Sequence, residues 1–216
     1  EALVNNKFNI PITVIGWGKP WNGFIDKFNN MYEYIKTLPD DDIIIFIDGF
    51  DTLVHKPLPE IKKRFLEFDS KIVLSLTNSN FNKIQKKIFK TCQKKYVANS
   101  GLYGGYNKSL QQLLKYILER NFSSDDQRNL NEACKQFNNE ITIDTQKVLF
   151  NNVSYLERFK NQKSDSCFVS SPGKLTWGRL KRAPQEYIPF LQNEILLIIM
   201  LIIIYYNVCL KIKIKI

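Results

Sequence analysis

Apolar residues fall in short blocks along the first 150 positions, and the period of each block points to an element. Ile12 to Ile15 is a brief apolar run ending at Gly16, and Ile43 to Ile47 is a run rich in β-branched residues that stops at Asp48; both read as buried strands. Between them Phe24, Phe28, Met31, Tyr32 and Ile35 recur at helical spacing, and the turn at Pro39 and Asp40 closes that stripe. Pro57 and Pro59 introduce a helix through Phe68, after which Lys71 to Leu76 alternates into a third strand. The order strand, helix, strand, helix, strand predicts an α/β domain with a mainly parallel, twisted, Rossmann-like sheet flanked by helices. Ligands bind such sheets beyond the carboxyl ends of the strands, which is where Gly16 and Asp48 stand.

Farther along, Asn99 to Tyr106 is glycine-rich, and its opening residues read by themselves only as a turn. Ser109 to Arg120 reads as a helix, Ser123 or Ser124 as the cap of another helix starting near Asp125, and Ile141 to Ile143 and Val148 to Phe150 as short late strands. The last segment differs. Every residue from Ile195 to Tyr206 is apolar or aromatic, and a milder stretch continues to Leu210. A helix over 195–210 spans about 24 Å, short of the usual ~30 Å hydrocarbon core. Residues 1–190 are therefore expected to form one domain and 191–216 a hydrophobic tail. That tail reads either as a membrane anchor, with the lysines at 211, 213 and 215 on the cytoplasmic side, or as read-through sequence.

A chain of 216 residues has room for one such domain plus the tail, and 44% apolar with 13% aromatic residues excludes global disorder. The net charge of +10 travels with an excess of Asn and Ile along the whole chain, so it reads as compositional bias and no nucleic-acid partner is expected. Cys92, Cys134, Cys167 and Cys209 have no C-x-x-C spacing, which argues against a zinc or thioredoxin-like motif. Glycosylation sequons begin at Asn107, Asn121 and Asn152. The chain starts at Glu1 with neither an initiator Met nor a signal peptide and reads as a fragment or as an incomplete gene product.

Chemistry concentrates where the second strand ends. In IIIFIDGFD, Asp48 and Asp51 flank a tight turn at Gly49. Two carboxylates facing one point repel unless a cation joins them, and a hard, oxygen-preferring ion, Mn²⁺ or Mg²⁺, fits. Such an ion would neutralise a leaving nucleoside diphosphate. The competing reading is a turn with two solvated aspartates, because D-x-x-D is short and common after strands.

Four ordered motifs shift that balance: GWGKPW at 16–21, DGFD at 48–51, NSGLYGG at 99–105 and DDQ at 125–127. With them the chain resembles the glycosyltransferase domain of collagen lysyl hydroxylases and related procollagen galactosyltransferase-like proteins, from about Pro11 to Pro189. The resemblance implies a GT-A-like fold and transfer of galactose or glucose from UDP-galactose or UDP-glucose to a hydroxyl acceptor, with hydroxylysine of a collagen-like protein as the suggested one. It implies Asp48 and Asp51 as metal ligands and Trp21, Lys27 and Phe50 at the nucleotide, Phe50 standing where relatives often have Tyr. Asn99, Ser100 and Gly101 would line the sugar pocket, and Asp125 or Asp126 would orient the sugar or accept the proton of the attacking hydroxyl. It further implies a Cys92–Cys134 disulfide, and with it the lumen of the endoplasmic reticulum or Golgi, the domain being anchored there if the 195–210 segment associates with the membrane.

Two departures stand beside the likeness. Relatives usually carry a His, or sometimes an Asn, in an H-G-N-G-like segment where the His is a metal ligand; the counterpart here is Ser170, Ser171, Pro172 and Gly173, while the single histidine, His55, reads as a solvated loop residue. The family's first strand also has no counterpart before Glu1. These departures motivate a rival reading, a degenerate relative that binds nucleotide or a partner without turnover. A second rival is a basic, membrane-anchored interaction module using the lysines between Lys83 and Lys95.

Overall fold

The computed structural model describes residues 3–49, 52–77, 82–93, 95–153, 164–171, 195–196 and 198–203. The chain divides into two compact units, 1–173 and 174–216. In the second unit the described residues are helical with exposed apolar side chains. Among the described residues no helix is long and apolar enough to cross a membrane.

The first unit runs α1 (Ile25–Ile35), β1 (Ile43–Ile47), β2 (Thr52–Val54), α2 (Leu58–Leu66), β3 (Ile72–Leu76), α3 (Asn82–Phe89), β4 (Ala98–Tyr106), α4 (Asn107–Arg120), α5 (Asp126–Ala133), β5 (Ile141–Asp144), β6 (Phe150–Asn152) and β7 (Phe168–Ser170). The main sheet has the order β1-β4-β3-β5. β4 pairs antiparallel with both β1 and β3, and β3 pairs parallel with β5. Three of the four strands therefore share one direction, as expected of this α/β class, and β4 is the reversed member between β1 and β3. A smaller sheet, β2-β7-β6, is likewise mixed.

Both faces of the main sheet are covered, and the period of two along β3 shows how. Ile72 and Leu74 face a cluster with Phe28, Met31 and Ile35 of α1 and Leu110, Leu113, Leu114 and Ile117 of α4. Val73 points the other way, into a cluster with Ile61 and Phe65 of α2, Leu102, Phe150 and Phe168. Each such fully buried side chain contributes about 1.5–3 kcal/mol relative to exposure. Polar side chains tie the layers where backbone groups would otherwise be orphaned. The Asn107 carboxamide is completely buried and donates to the carbonyls of Ile35, Leu38 and Pro39, each at 2.9 Å, closing the end of α1 onto α4. Buried Asp144 accepts from the N–H groups of Val148, Leu149 and Phe150, which swings the chain from β5 into β6.

Several sequence expectations need correction. Ile12 to Ile15 forms no strand: Ile12 and Ile15 pack into different clusters while Val14 is exposed, so the segment follows side-chain packing and not a ladder. Asn99, Ser100 and Gly101, which by themselves read as a turn, lie instead in β4, the longest strand among the described residues. Its glycines serve close approach, since a Cβ on Gly105 would stand 2.7 Å from the Lys71 carbonyl oxygen and 3.2 Å from Ile72 Cα. The cap of α5 is Asp125, which accepts from the Arg128 N–H at 2.8 Å, while Ser123 Oγ accepts from the Asp125 N–H one step earlier. The helix after Pro57 ends at Leu66, the strand expected at Val148 to Phe150 begins only at Phe150, and β2 and β7 were not foreseen.

Cys92 and Cys134 are joined in a disulfide, with Cα atoms 5.3 Å apart and a sequence separation of 42, as the family resemblance implied. Cys167 is a buried free thiol that burial pushes up to about 11.

Two expectations follow for stability. Gly105→Ala forces a methyl against backbone that cannot yield and should cost about 1–3 kcal/mol, read as a lowered urea midpoint. Cys134→Ala removes a cross-link whose closed loop corresponds to about 4 kcal/mol in the chain-entropy model, and the non-reducing melting temperature should fall to that of the reduced wild-type chain.

Candidate active site

The site forms where β1, β4, α1 and α5 meet. β1 delivers Asp48, and the ladder extends one residue past the strand because the Asp48 N–H donates to the Gly101 carbonyl at 2.8 Å. Gly101 leaves the carboxylate room there: a Cβ would lie 2.5 Å from Asp48 Oδ2 and 3.0 Å from Asn99 Oδ1, so those side chains would have to shift. The missing side chain is the seat of the carboxylate. Asn99 Oδ1 in turn accepts from the Gly101 N–H at 2.8 Å, and Ser100 Oγ donates to Asp126 Oδ2 at 2.7 Å.

Asp126 occupies the first position of α5 and is buried. Its charge is favoured there by the helix dipole, while Asp125 serves as cap, an interaction of about 1 kcal/mol. Asn131, completely buried one turn on, fixes the helix against the sheet. Its Oδ1 accepts from the N–H groups of Cys92 and Ala98, and its Nδ2 donates to the carbonyls of Ala98 and Gln127. The disulfide crosses the same junction.

Lys27, in the first turns of α1, closes the arrangement. Its Nζ lies 2.6 Å from Asp126 Oδ2 and 3.2 Å from Asp48 Oδ1, and 5.7 Å from the centre of the Phe46 ring. Burial alone would lower the Lys27 pKa, but Asp126 and Asp48 outweigh it, so the pKa is raised and the ammonium stays charged. Beneath it Phe46 stacks on Tyr103 with ring centres 4.8 Å apart. The Tyr103 hydroxyl is buried with no hydrogen-bond partner among the described residues. Burial, then the charges of Asp48 and Asp126, pushes it well above the usual phenol range, so it remains protonated.

The structure thus brings together Lys27, Asp48, Asn99, Ser100, Gly101 and Asp126 from the sequence candidates, and turns Asp125 to capping. Trp21 is 61% exposed and meets Phe24 edge-on at 5.7 Å, an open ring near the start of α1. Phe50 and Asp51 lie outside the described residues. Tyr103 and Asn131 went unnoticed in the sequence, because a strand tyrosine and a polar residue on a short helix carry no distinguishing pattern.

The expected metal can be tested against these groups. Asp48 offers the hard oxygen such an ion prefers, and its carboxylate is 41% exposed and reachable. Among the described residues no three His, Cys, Asp or Glu side chains cluster as a ligand set, so the fit rests on Asp48 together with Asp51. His55 follows β2, where its backbone N–H donates to the Cys167 carbonyl and burial, then nearby Lys7, lowers the imidazole pKa; it is part of no such cluster among the described residues. Ser170, where relatives place a histidine, is half-buried in β7. A polar hollow of about 540 Å³ lined by Glu60, Arg64, Lys147 and Asp165 shares no residue with the carboxylate centre.

No curated protein matches the chain. Among solved structures, mouse xyloside xylosyltransferase 1 in its apo form is 10% identical with a TM-score of 0.44, over 67% of this chain and 62% of its own. This chain thus spans less than two thirds of that protein. The galactosyltransferase LgtC, in complex with donor and acceptor sugar analogues, is 12% identical with a TM-score of 0.43, over 77% of this chain and 69% of its own. An active-site mutant of LgtC gives 15% and 0.42 over the same shares. These scores carry no argument about function. The family model of the PLOD GT domain, however, matches residues 3–166, about three quarters of the chain, and spans Lys27, Asp48, Ser100 and Asp126 alike. By that match the chain belongs to the PLOD GT domain family, a family of glycosyltransferase domains.

Proposed function

We propose that this domain transfers galactose or glucose from a UDP-sugar to a hydroxyl acceptor, with hydroxylysine of a collagen-like protein as the suggested acceptor. The observation that carries the reading is the convergence of Asp48, Lys27, Ser100 and Asp126 at the end of β1, the edge of a sheet where α/β domains bind ligands. Asp48 and Asp51 would hold Mn²⁺ or Mg²⁺, which when bound offsets charge on the leaving diphosphate. Lys27, kept charged by two carboxylates, presents a cation to the same phosphates from the protein side. Among the described residues the contacts of Asp126 with Lys27 and Ser100 run through Oδ2, so Oδ1 would be the oxygen that orients a sugar hydroxyl or receives the proton of the attacking one. The exposed Trp21 ring offers a face for the nucleobase, and Phe50 would add a second, without the hydroxyl of a tyrosine. Asn99 and Gly101 give the sugar pocket short side chains. The lumen of the endoplasmic reticulum or Golgi, with the 195–210 segment associated with the membrane, belongs to the same reading; the disulfide supports the oxidising compartment.

One observation favours a second reading. Serine at 170 is a poorer ligand than imidazole for a transition-series ion, so the domain can bind nucleotide and turn over little. Transfer from UDP-galactose and UDP-glucose, read as UDP release and product mass with Mn²⁺ present, separates the two. Asp48→Asn, Asp51→Asn and Asp126→Asn should each lower kcat/KM by roughly a hundredfold or more, equal to about 2.7 kcal/mol of transition-state stabilisation. UDP binding without transfer in the wild-type chain would select the degenerate relative, and neither binding nor transfer would reject the site.

Gly101→Ala gives a sharper geometric check. The added methyl must displace the Asp48 carboxylate, so UDP affinity in Mn²⁺ should fall by about tenfold or more, near 1.4 kcal/mol. Titration calorimetry reads that change, and an unaltered affinity would mean that Asp48 does not serve the nucleotide.

A further inference from the structure

The three sequons differ sharply in what the fold does with their asparagines. Asn107 is completely buried, and its Nδ2, the atom a glycan would occupy, donates to the carbonyls of Ile35, Leu38 and Pro39. A sugar on that nitrogen would have to enter the contact between α1 and α4 and would break these bonds; the Ile35 and Pro39 carbonyls keep the backbone N–H groups of Leu38 and Asp42, while the Leu38 carbonyl loses its donor, a loss of about 1–3 kcal/mol for a buried group left unsatisfied. Asn152 is half-buried in β6, and its Nδ2 donates to the Leu76 carbonyl at 2.9 Å. Asn121 is different in every respect. It is exposed, stands just past the end of α4 in the left-handed conformation (φ 41°, ψ 60°), and its N–H closes the helix on the Ile117 carbonyl while its carboxamide makes no hydrogen bond among the described residues. Phe122 beside it is 41% exposed and leans on Tyr116, with ring centres 6.0 Å apart, so the Asn-Phe-Ser triplet lies along the surface.

We infer that Asn121 is an N-glycan acceptor and that Asn107 is not, although both satisfy the same sequence rule. The donor class is a polyprenyl-diphosphate-linked oligosaccharide. A bond forms between Asn121 Nδ2 and the anomeric carbon as the bond from that carbon to the phosphate oxygen breaks, the polyprenyl diphosphate departs, and the amide proton passes to a base of the transferring enzyme. The Cys92–Cys134 disulfide suits an oxidising compartment, where such donors act, and in this the inference rests on the lumenal reading proposed above. Asn121 and its loop share no residue with the Lys27, Asp48 and Asp126 cluster, so a glycan there leaves that cluster free.

The test is synthesis of the full chain behind a cleavable secretory leader in the presence of microsomes, with each asparagine scored by mass spectrometry after deglycosylation in heavy-oxygen water. The expected result is one glycosidase-sensitive mobility step and label at Asn121 in the disulfide-bonded product. Asn121→Gly, which keeps the left-handed cap and removes only the acceptor, and Ser123→Ala, which keeps Asn121 and breaks the sequon, should each abolish that step. Absence of label at Asn121, survival of the step in either variant when Asn121 is its source, or a glycan on Asn107 in the folded, disulfide-bonded chain would overturn the inference.

Discussion

The reversed strand β4 is the constraint on which the rest of the unit depends. It must lie between two strands running the other way, close enough at Gly105 that any side chain would strike the backbone of β3, and its Gly101 must leave open the volume that the Asp48 carboxylate fills. Its first residue, Ala98, is held by both ends of the Asn131 carboxamide, which also reaches the disulfide at Cys92. One strand thus sets sheet order, seats a candidate ligand and docks the helix that carries Asp126. The glycines that hide it from a strand-propensity reading are the residues that permit it.

Charge balance at the centre follows from that packing. Asp48 and Asp126 come from elements far apart in sequence, and two carboxylates drawn toward one point are unfavourable without a cation. Lys27 supplies it from α1, in a part-buried setting where its removal would leave the acids uncompensated, a situation that costs about 3–5 kcal/mol when one partner of a buried pair is deleted. A charged lysine so held is preorganised for an anionic ligand, since its position is already fixed before the ligand arrives. The same ammonium also means that a metal on Asp48 shares its carboxylate with a resident cation.

Legibility in the sequence followed the kind of force at work. Hydrophobic period gave α1, β1, β3 and α4 within a few residues, because each buries one face or both faces of a regular element. It missed β2 and β7, three-residue strands whose pairing is set by partners distant in the chain. It also produced a strand at Ile12 to Ile15 that the fold does not use. Asp48, Lys27, Ser100 and Asp126 were legible only through the order of four motifs, since spacing by itself left a solvated turn equally open. Asn131 gave no signal, and Asn107 signalled only as the start of a sequon, not as a buried carboxamide. A buried carboxamide is recognised by the backbone groups it satisfies, and those are visible only in three dimensions.

The irregular course of residues 8–15 bears on how firmly Asp48 is held. Phe8, Ile10 and Ile12 pack in the cluster that takes Ile43, Ile45 and Ile47, whereas Ile15 joins the cluster of Ile44 and Phe46 on the other face. The segment thus lends apolar contact to both faces of β1, and among the described residues β1 has a ladder partner on one side, β4, with all five of its residues only half-buried. A strand paired on one edge is fixed less tightly at its end than one held on both. For Asp48 the ladder contributes a single hydrogen bond to Gly101, and among the described residues its other polar restraint is the Lys27 ammonium. Lys27 therefore acts on the position of Asp48 as well as on its charge, so substitutions at Lys27 and Asp48 should be strongly non-additive, as expected of two groups that work as one unit.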